Sequence, residues 1–332
     1  MRAVTRPLAG VALLTAALVV ALAAGLAFGA VPLPLATVWS ALTDAGGDPT
    51  AATIVRSIRL PRVSAGALTG AALALSGALF QALLRNPLAE PYLLGVSSGA
   101  AFGAVAALTL IGPALGAMTT GAFAFAGGLL AILVVFRVAW AVGRVDTRVL
   151  ILAGVVVSAF FGAGVMLLLA LARGDAFRSA VLWTMGSLDG TTWSGVGLLA
   201  ASTSGTALVA LVLSRHLNAL ALGEEAAAHL GTPVERVKRV AYVVASLAAA
   251  ITVSVAGVIG FVGLVVPHAV RLVWGSDHRT LIPLSLLGGG VTLVVADTVA
   301  QTVARPLVLP IGVVTAVLGV PLFLVLLRRS HA

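Results

Sequence analysis

Residues 85–100 read RNPLAEPYLLGVSSGA and stand between two long apolar runs. Pro87 and Pro91 each lack a backbone N–H, and each pushes the residue before it out of the α region. Arg85 and Glu90 would each cost roughly 3 kcal/mol at the centre of a bilayer. One apolar helix therefore ends near Leu84 and another starts near Pro91, where proline suits the first helical turn. The second helix carries Gly95, Ser97, Ser98, Gly99 and Gly103, small residues that let another backbone approach closely. Gly95, Gly99 and Gly103 fall at i, i+4 and i+8 and share one face.

The rest of the chain follows the same pattern. Of its 332 residues 60% are apolar and 9% charged, with a mean hydropathy of +1.14; a soluble domain carries about a quarter charged residues. The fold class this implies is an all-α membrane protein. About ten apolar spans are expected, near 8–30, 63–84, 92–111, 115–136, 149–172, 195–213, 240–259, 261–273, 281–296 and 309–327. The eighth is short for a crossing and holds Pro267 and His268. No polar linker divides the chain, so residues 1–332 read as a single multi-pass domain forming one compact helical bundle. An even number of spans leaves both termini on one side. With that side cytoplasmic, Arg56, Arg59, Arg62, Arg173, Arg178 and Arg305 lie outside. The other fourteen of the 20 basic residues lie inside, Arg2, Arg6, Arg144, Arg328 and Arg329 among them. That distribution obeys the positive-inside rule and makes the topology N-in, C-in. It also accounts for the net charge of +9 without nucleic acid. The first run exceeds the 7–15 apolar residues of a secretory signal and reads as a retained span.

Reaction chemistry finds little support. There is no cysteine, which excludes disulfides and thiolate metal sites. Gly95-Val96-Ser97-Ser98-Gly99 fits the GxSxG pattern formally, but that motif needs a strand-to-helix turn and here it opens a membrane helix. The histidines include no HExxH and no i, i+4 pair. No catalytic residue, metal ligand or cofactor is expected. Asp297 is the one carboxylate close to a span, and Gln301 at i+4 suits a local hydrogen bond to it. A P-loop needs GxxxxGK[ST], and the one lysine, Lys238, lies in no such motif.

Residues 214–239, SRHLNALALGEEAAAHLGTPVERVKR, form the longest inner loop. Gly223 and Gly231 divide it into short helical pieces. Thr232, Pro233 and Glu235 have capping-box spacing, with proline at the first helical position. The piece 224–230 is too short to be stable alone, so it packs either on its own bundle or on a partner. A loose echo links SGALFQALLRNPLAEPYLLG at 76–95 with VIGFVGLVVPHAVRLVWG at 258–275, and transporter folds often contain repeats.

RNPLAEPYLLGVSSGA resembles the signature of the FecCD-type permeases of bacterial ATP-binding-cassette importers for iron-siderophores, haem and vitamin B12. The resemblance runs along nearly the whole chain. It includes RLPR at 59–62, WTMGSLDG at 183–190, the 214–239 loop, GFVGLVVPHAVRL at 260–272, DHRTLIPLS at 277–285, ADTVAQ at 296–301 and LPIGVVTAVLGVP at 309–321. It implies a permease of the bacterial inner membrane that takes up an iron chelate, haem or a corrinoid by alternating access. The partners implied are a second copy of the chain, two copies of a cytoplasmic ATPase and a periplasmic or lipid-anchored binding protein, in membrane lipid and without nucleic acid. It places a cytoplasmic gate at Asn86, Leu88 and Thr147, although Asn86 suits a turn cap equally well. ATPase coupling falls to Leu222, Gly223, Glu224, Glu225, Ala226, Leu230 and Gly231. Binding-protein docking falls to Arg59 and Arg62, with Arg56 and Arg305 as weaker candidates. Related chains tend to read ADTxAR where this one has Gln301, and Arg305 lies one helical turn further. The alternative function is an ion-coupled secondary carrier, against which the scarcity of intramembrane acids and the docking-type loop both count.

Overall fold

The computed structural model describes residues 2–43, 48–112, 116–140 and 146–330, and the side chains of 7–325 within them. The Arg2, Arg6, Arg144, Arg328 and Arg329 side chains, expected inside, lie outside the described residues, as do positions 143–145 of the turn before Asp146. No strand occurs among the described residues.

The helices run in the order α1 Arg2–Ala27, α2 Leu35–Thr43, α3 Pro49–Thr53, α4 Leu60–Leu83, α5 Val96–Ala106, α6 Gly116–Trp140 and α7 Thr147–Leu171. There follow α8 Gly174–Thr184, α9 Trp193–Leu220, α10 Glu224–His229, α11 Val234–Ala256, α12 Val262–Trp274, α13 His278–Thr302 and α14 Ile311–Ser330. Seven helices are long and apolar enough to cross a membrane, and three shorter apolar ones accompany them at Val96–Ile111, Val262–Trp274 and Ile311–Val325. All ten lie where apolar spans were expected. Three helices were not expected: α2, α3 and α8. α2 and α8 are amphipathic pieces of 9 and 11 residues, too short to span and lacking an extended apolar run.

The axis of the bundle is α4. A π-helical turn, Ile54–Arg59, joins it to α3, giving one continuous segment, Pro49–Leu83, whose apolar window is 83% buried, against 17% for α1. Small residues make that burial possible. A Cβ on Gly70 would collide with the Gly289 carbonyl of α13, and one on Gly77 with the Gly263 carbonyl of α12. These seams therefore pack backbone on backbone, the close approach that glycine permits.

α12 explains the short eighth span. Its 13 residues reach only about 20 Å at 1.5 Å per residue, less than a hydrocarbon core of about 30 Å. Its start, Gly263, lies against Leu73 and Gly77, past the midpoint of α4. Its end approaches the beginning of α1, where a Cβ on Gly10 would collide with the Trp274 ring. α12 thus starts beside the second half of α4 and runs towards the beginning of α1, and the 257–261 link from α11 is non-helical.

The capping box before α11 does not form. Pro233 occupies the N-cap position with no side-chain bond, and Thr232 Oγ1 instead lies 3.3 Å from His216 Nδ1. The Thr232 N–H closes α10 by donating to the Ala227 carbonyl at 2.9 Å, which turns the chain away from box geometry.

Candidate functional site

The turn between α4 and α5 is built by its own hydrogen bonds. α4 ends in a Schellman pattern, with Asn86 N–H donating to Gln81 O and Arg85 N–H to Ala82 O at 3.1 and 3.3 Å. Arg85 takes the left-handed position, φ 49°, usually reserved for glycine. Asn86 Oδ1 accepts the Leu88 N–H at 2.9 Å, so its side chain does cap the turn. Leu88 is exposed. Pro91 opens a 3-10 turn, Pro91–Leu94, and Gly95 (φ 81°) redirects the chain into α5. The glycine face expected of that helix meets two neighbours. Gly95 abuts Val157 of α7, while Cβ atoms on Gly99 and Gly103 would strike the Gly127 and Phe123 carbonyls of α6. Thr147 opens α7, whose N-terminus Asp146 caps by accepting from Arg148 N–H at 2.8 Å. Thr147 Oγ1 is buried without a hydrogen-bond partner among the described residues. Its helix shares one apolar cluster with the turn through Leu150, Leu84 and Ala89.

Below the turn sits the inner loop. Gly223, at φ 112°, starts α10 close to Arg85; a Cβ there would lie 3.8 Å from Arg85 Nη1. Ala227 is buried in the same cluster as Leu83, Leu84 and Leu220. Glu224 is drawn back to α11 by Lys238, with Oε1 3.1 Å from the buried Nζ, while Glu235 lies at 3.6 Å. Glu225 is exposed, Ala226 half-buried and Gly231 exposed with φ 76°. Leu222 and Leu230 are 69% and 66% exposed. The loop therefore has an anchored inner face and an apolar outer one.

A latch ties this region to α13. Asn218 Nδ2 donates to Asp277 Oδ1 at 2.7 Å, and Asn218 Oδ1 accepts from the His278 N–H at 2.9 Å, with His278 Nδ1 2.7 Å away. Asp277 also caps α13 through the Arg279 N–H. The Asn218 amide, ahead of the Arg279 N–H and charge, holds the Asp277 carboxyl below the usual carboxylate range.

On the outer side the arginines turn inward. Arg59 is 6% exposed and donates to the Leu26 and Ala27 carbonyls at 2.6 and 3.0 Å and to Val31 O, closing the end of α1. Arg62 is 9% exposed and forms a fork on Asp297, Nε to Oδ2 at 2.8 Å and Nη2 to Oδ1 at 2.7 Å, with a further contact to Asp189. Gln301 Nε2 completes the group on Asp297 Oδ2 at 2.8 Å. Both guanidiniums are thus occupied within the chain, Arg59 by backbone carbonyls and Arg62 by Asp297 and the more exposed Asp189. Arg56 is half-buried and donates to Ala41 O. Arg305 is exposed, and the positive partner of Asp297 is Arg62. An outer cleft of about 400 Å³ opens beside Arg62 and Asp189, floored by Leu188 and walled by Thr191 and Trp193.

The residues that sequence reasoning missed are the polar brackets deep in the bundle. Gln81, buried, donates to Leu264 O at 3.2 Å and accepts from Arg271 Nη1 at 2.8 Å. Glu90 Oε1 accepts the Phe261 N–H at 2.7 Å. Tyr92 Oη accepts the Ile259 N–H at 2.7 Å and donates to the Ile259 carbonyl. The two stretches that echo each other in sequence are thus in contact. A polar residue inside or beside an apolar run was the available signal; Glu90 had been read only as the edge of a turn.

A bundle of seven long and three shorter apolar helices, with a polar loop of short helices between α9 and α11, has the build of a multi-pass membrane protein. The model of the FecCD transport family matches residues 17–329, and the chain belongs to that family. A cobalamin import system permease of Halobacterium salinarum is 47% identical over 303 residues, covering 90% of this chain and 80% of the relative. The hemin transport system permease of Yersinia pestis is 39% identical, covering 95% and 94%, and an iron(3+)-hydroxamate import permease of Bacillus subtilis is 38% identical, covering 92% and 79%. Among solved structures, an inward-facing ABC transporter described as of metal-chelate type superposes with a TM-score of 0.86 at 30% identity, over 96% of this chain and 98% of the other. The chain is a multi-pass permease subunit of an ATP-binding-cassette importer.

Proposed function

We propose that this permease moves an iron chelate, haem or a corrinoid inward by alternating access, as a homodimer with the pathway on its two-fold axis. One membrane domain spans the chain. ATP hydrolysis resides on two copies of a separate cytoplasmic subunit, and a periplasmic or lipid-anchored protein delivers the substrate. Inside, Asn86, Leu88 and Thr147 form the gate with their two-fold mates. Leu222, Gly223, Glu225, Ala226, Leu230 and Gly231 present the surface that meets the ATPase, and Glu224 seats α10 on Lys238. Outside, Arg305 and Arg56 carry the docking charge. Arg59 and Arg62 act one layer below, holding the outer ends of α1, α4 and α13 in shape.

The observation that carries this reading is the inner loop. A six-residue helix cannot persist alone, yet α10 is anchored by Ala227 and Lys238 while it leaves two leucines in water. Exposed apolar side chains on an anchored platform fit a docking surface. The test is uptake into proteoliposomes of cyanocobalamin, hemin and a ferric hydroxamate, with the binding protein supplied and the ATPase present or absent. Accumulation of one of the three only with ATPase and ATP is expected. Uptake driven by a proton or sodium gradient without the ATPase would overturn it.

A further inference from the structure

The 257–261 link sets five consecutive non-helical residues between two apolar helices, α11 and α12. No helical neighbour serves this backbone, so its buried N–H and C=O groups need partners from elsewhere in the protein. The partners come from the segment that leads into α5, distant in sequence but packed against the start of α12. The N–H and C=O of Ile259 both bond Tyr92 Oη, and the Phe261 N–H bonds Glu90. Phe261 is held at φ 69°, a conformation a bulky residue adopts only when its surroundings impose it. Glu90 and Tyr92 belong to the segment that leaves the gate turn, four residues beyond Asn86 and Leu88 respectively. Gln81, on the last turns of α4, closes the other side by bonding Leu264 and Arg271.

We propose that Glu90 and Tyr92 are positioning residues that make the gate turn ride on α12, a reading that rests on the inner-gate assignment above. The physical ground is that neither partner can leave alone. Parting them strips the buried Ile259 backbone and the Phe261 N–H of their partners, and a buried group left unsatisfied costs its desolvation penalty. The turn cannot absorb movement internally, because its own hydrogen bonds and two prolines fix it. Opening the gate therefore displaces the turn and α12 as one body, and slack is taken up at the flanking seams.

Two distances in nanodiscs, with the ATPase bound, test this in the nucleotide-free and vanadate-trapped states. Spin labels at Leu88→Cys on both protomers report the separation across the axis. Labels at Leu88→Cys and Val273→Cys on one protomer of a heterodimer report the separation of the turn from the exposed end of α12. The expected result is a cross-axis distance that shifts between states and a turn–α12 distance that does not. If both shift, the clasp fails while the gate stands; if the cross-axis distance never shifts, the gate reading fails and the ride with it. Glu90→Gln keeps an acceptor oxygen and should preserve a narrow turn–α12 distribution, whereas Glu90→Ala and Tyr92→Phe should broaden it. Distributions as narrow as the parent's in both of those variants would overturn the clasp whatever the gate does.

Discussion

Arg62 sits between carboxylates of unequal exposure, Asp297 at 4% of its side-chain area and Asp189 at 60%. Removing one partner of a buried pair costs about 3–5 kcal/mol, because the other charge is left uncompensated. Asp297→Ala should therefore lower the thermal midpoint of the purified permease strongly. Asp189→Ala should cost at most about 1 kcal/mol, as for an exposed pair. The joint replacement Arg62→Met with Asp297→Leu should recover most of the loss; equal effects of the two single alanines would contradict the assignment. Asp277 gives a pH dependence of defined sign. Its folded value lies below the ordinary one, so its stabilisation is complete above about pH 4 and fades as pH falls through the depressed value. Asp277→Asn should lower stability at neutral pH and converge with the parent as the pH falls towards 3, flattening the acid side of the profile, which a detergent-solubilised thermal scan from pH 7 to pH 3 would record. Neither Arg62–Asp297 nor Asn218–Asp277 was legible in the sequence. The partners lie 235 and 59 residues apart, and no local spacing encodes such a meeting, whereas the Asp297–Gln301 bond was legible because it spans one helical turn.

At the scale of the helices, the seams with no side chain between them are the most exacting. Gly77→Ala should push α4 from α12 and destabilise the fold by about 1–3 kcal/mol or more, while Gly197→Ala, with open space at that position, should be near neutral or slightly stabilising. Comparable midpoints for the two variants would argue against backbone-on-backbone packing. α10 makes a separate prediction. Glu225→Arg with Ala226→Trp should abolish copurification of the ATPase without disturbing the permease itself, whereas Glu224→Gln should loosen α10 on α11. Retained ATPase binding in the first variant would remove α10 from the interface. The long helices were legible because unbroken apolar stretches leave few alternatives. α2 and α8 were not, since a short amphipathic surface helix draws its stability from the neighbours it packs on. α12 was legible as an apolar segment, but its position along α4 was not, because the Gly77–Gly263 seam sets it.

For the molecule as a whole, the proposed gate is an arrangement of two copies, of which one chain would hold half. Single cysteines at 86, 88 and 147 in this cysteine-free chain should crosslink between protomers when the inner side is closed and lose that crosslink during nucleotide turnover. Silence at all three positions in every nucleotide state would move the gate elsewhere. The resemblance proposed these positions, whereas the turn cap by Asn86 was legible from the residues themselves, because an amide before a proline turn reaches the N–H two residues on. A last consequence concerns Lys238, the chain's one lysine, whose side chain is 3% exposed beneath α10. Acylation by an amine-directed dye, or cleavage by a lysine-specific protease, thereby becomes a natural footprint of that single joint. Slow modification reports α10 seated, and each departure of α10 leaves a chemical mark at one residue, with no engineered probe required.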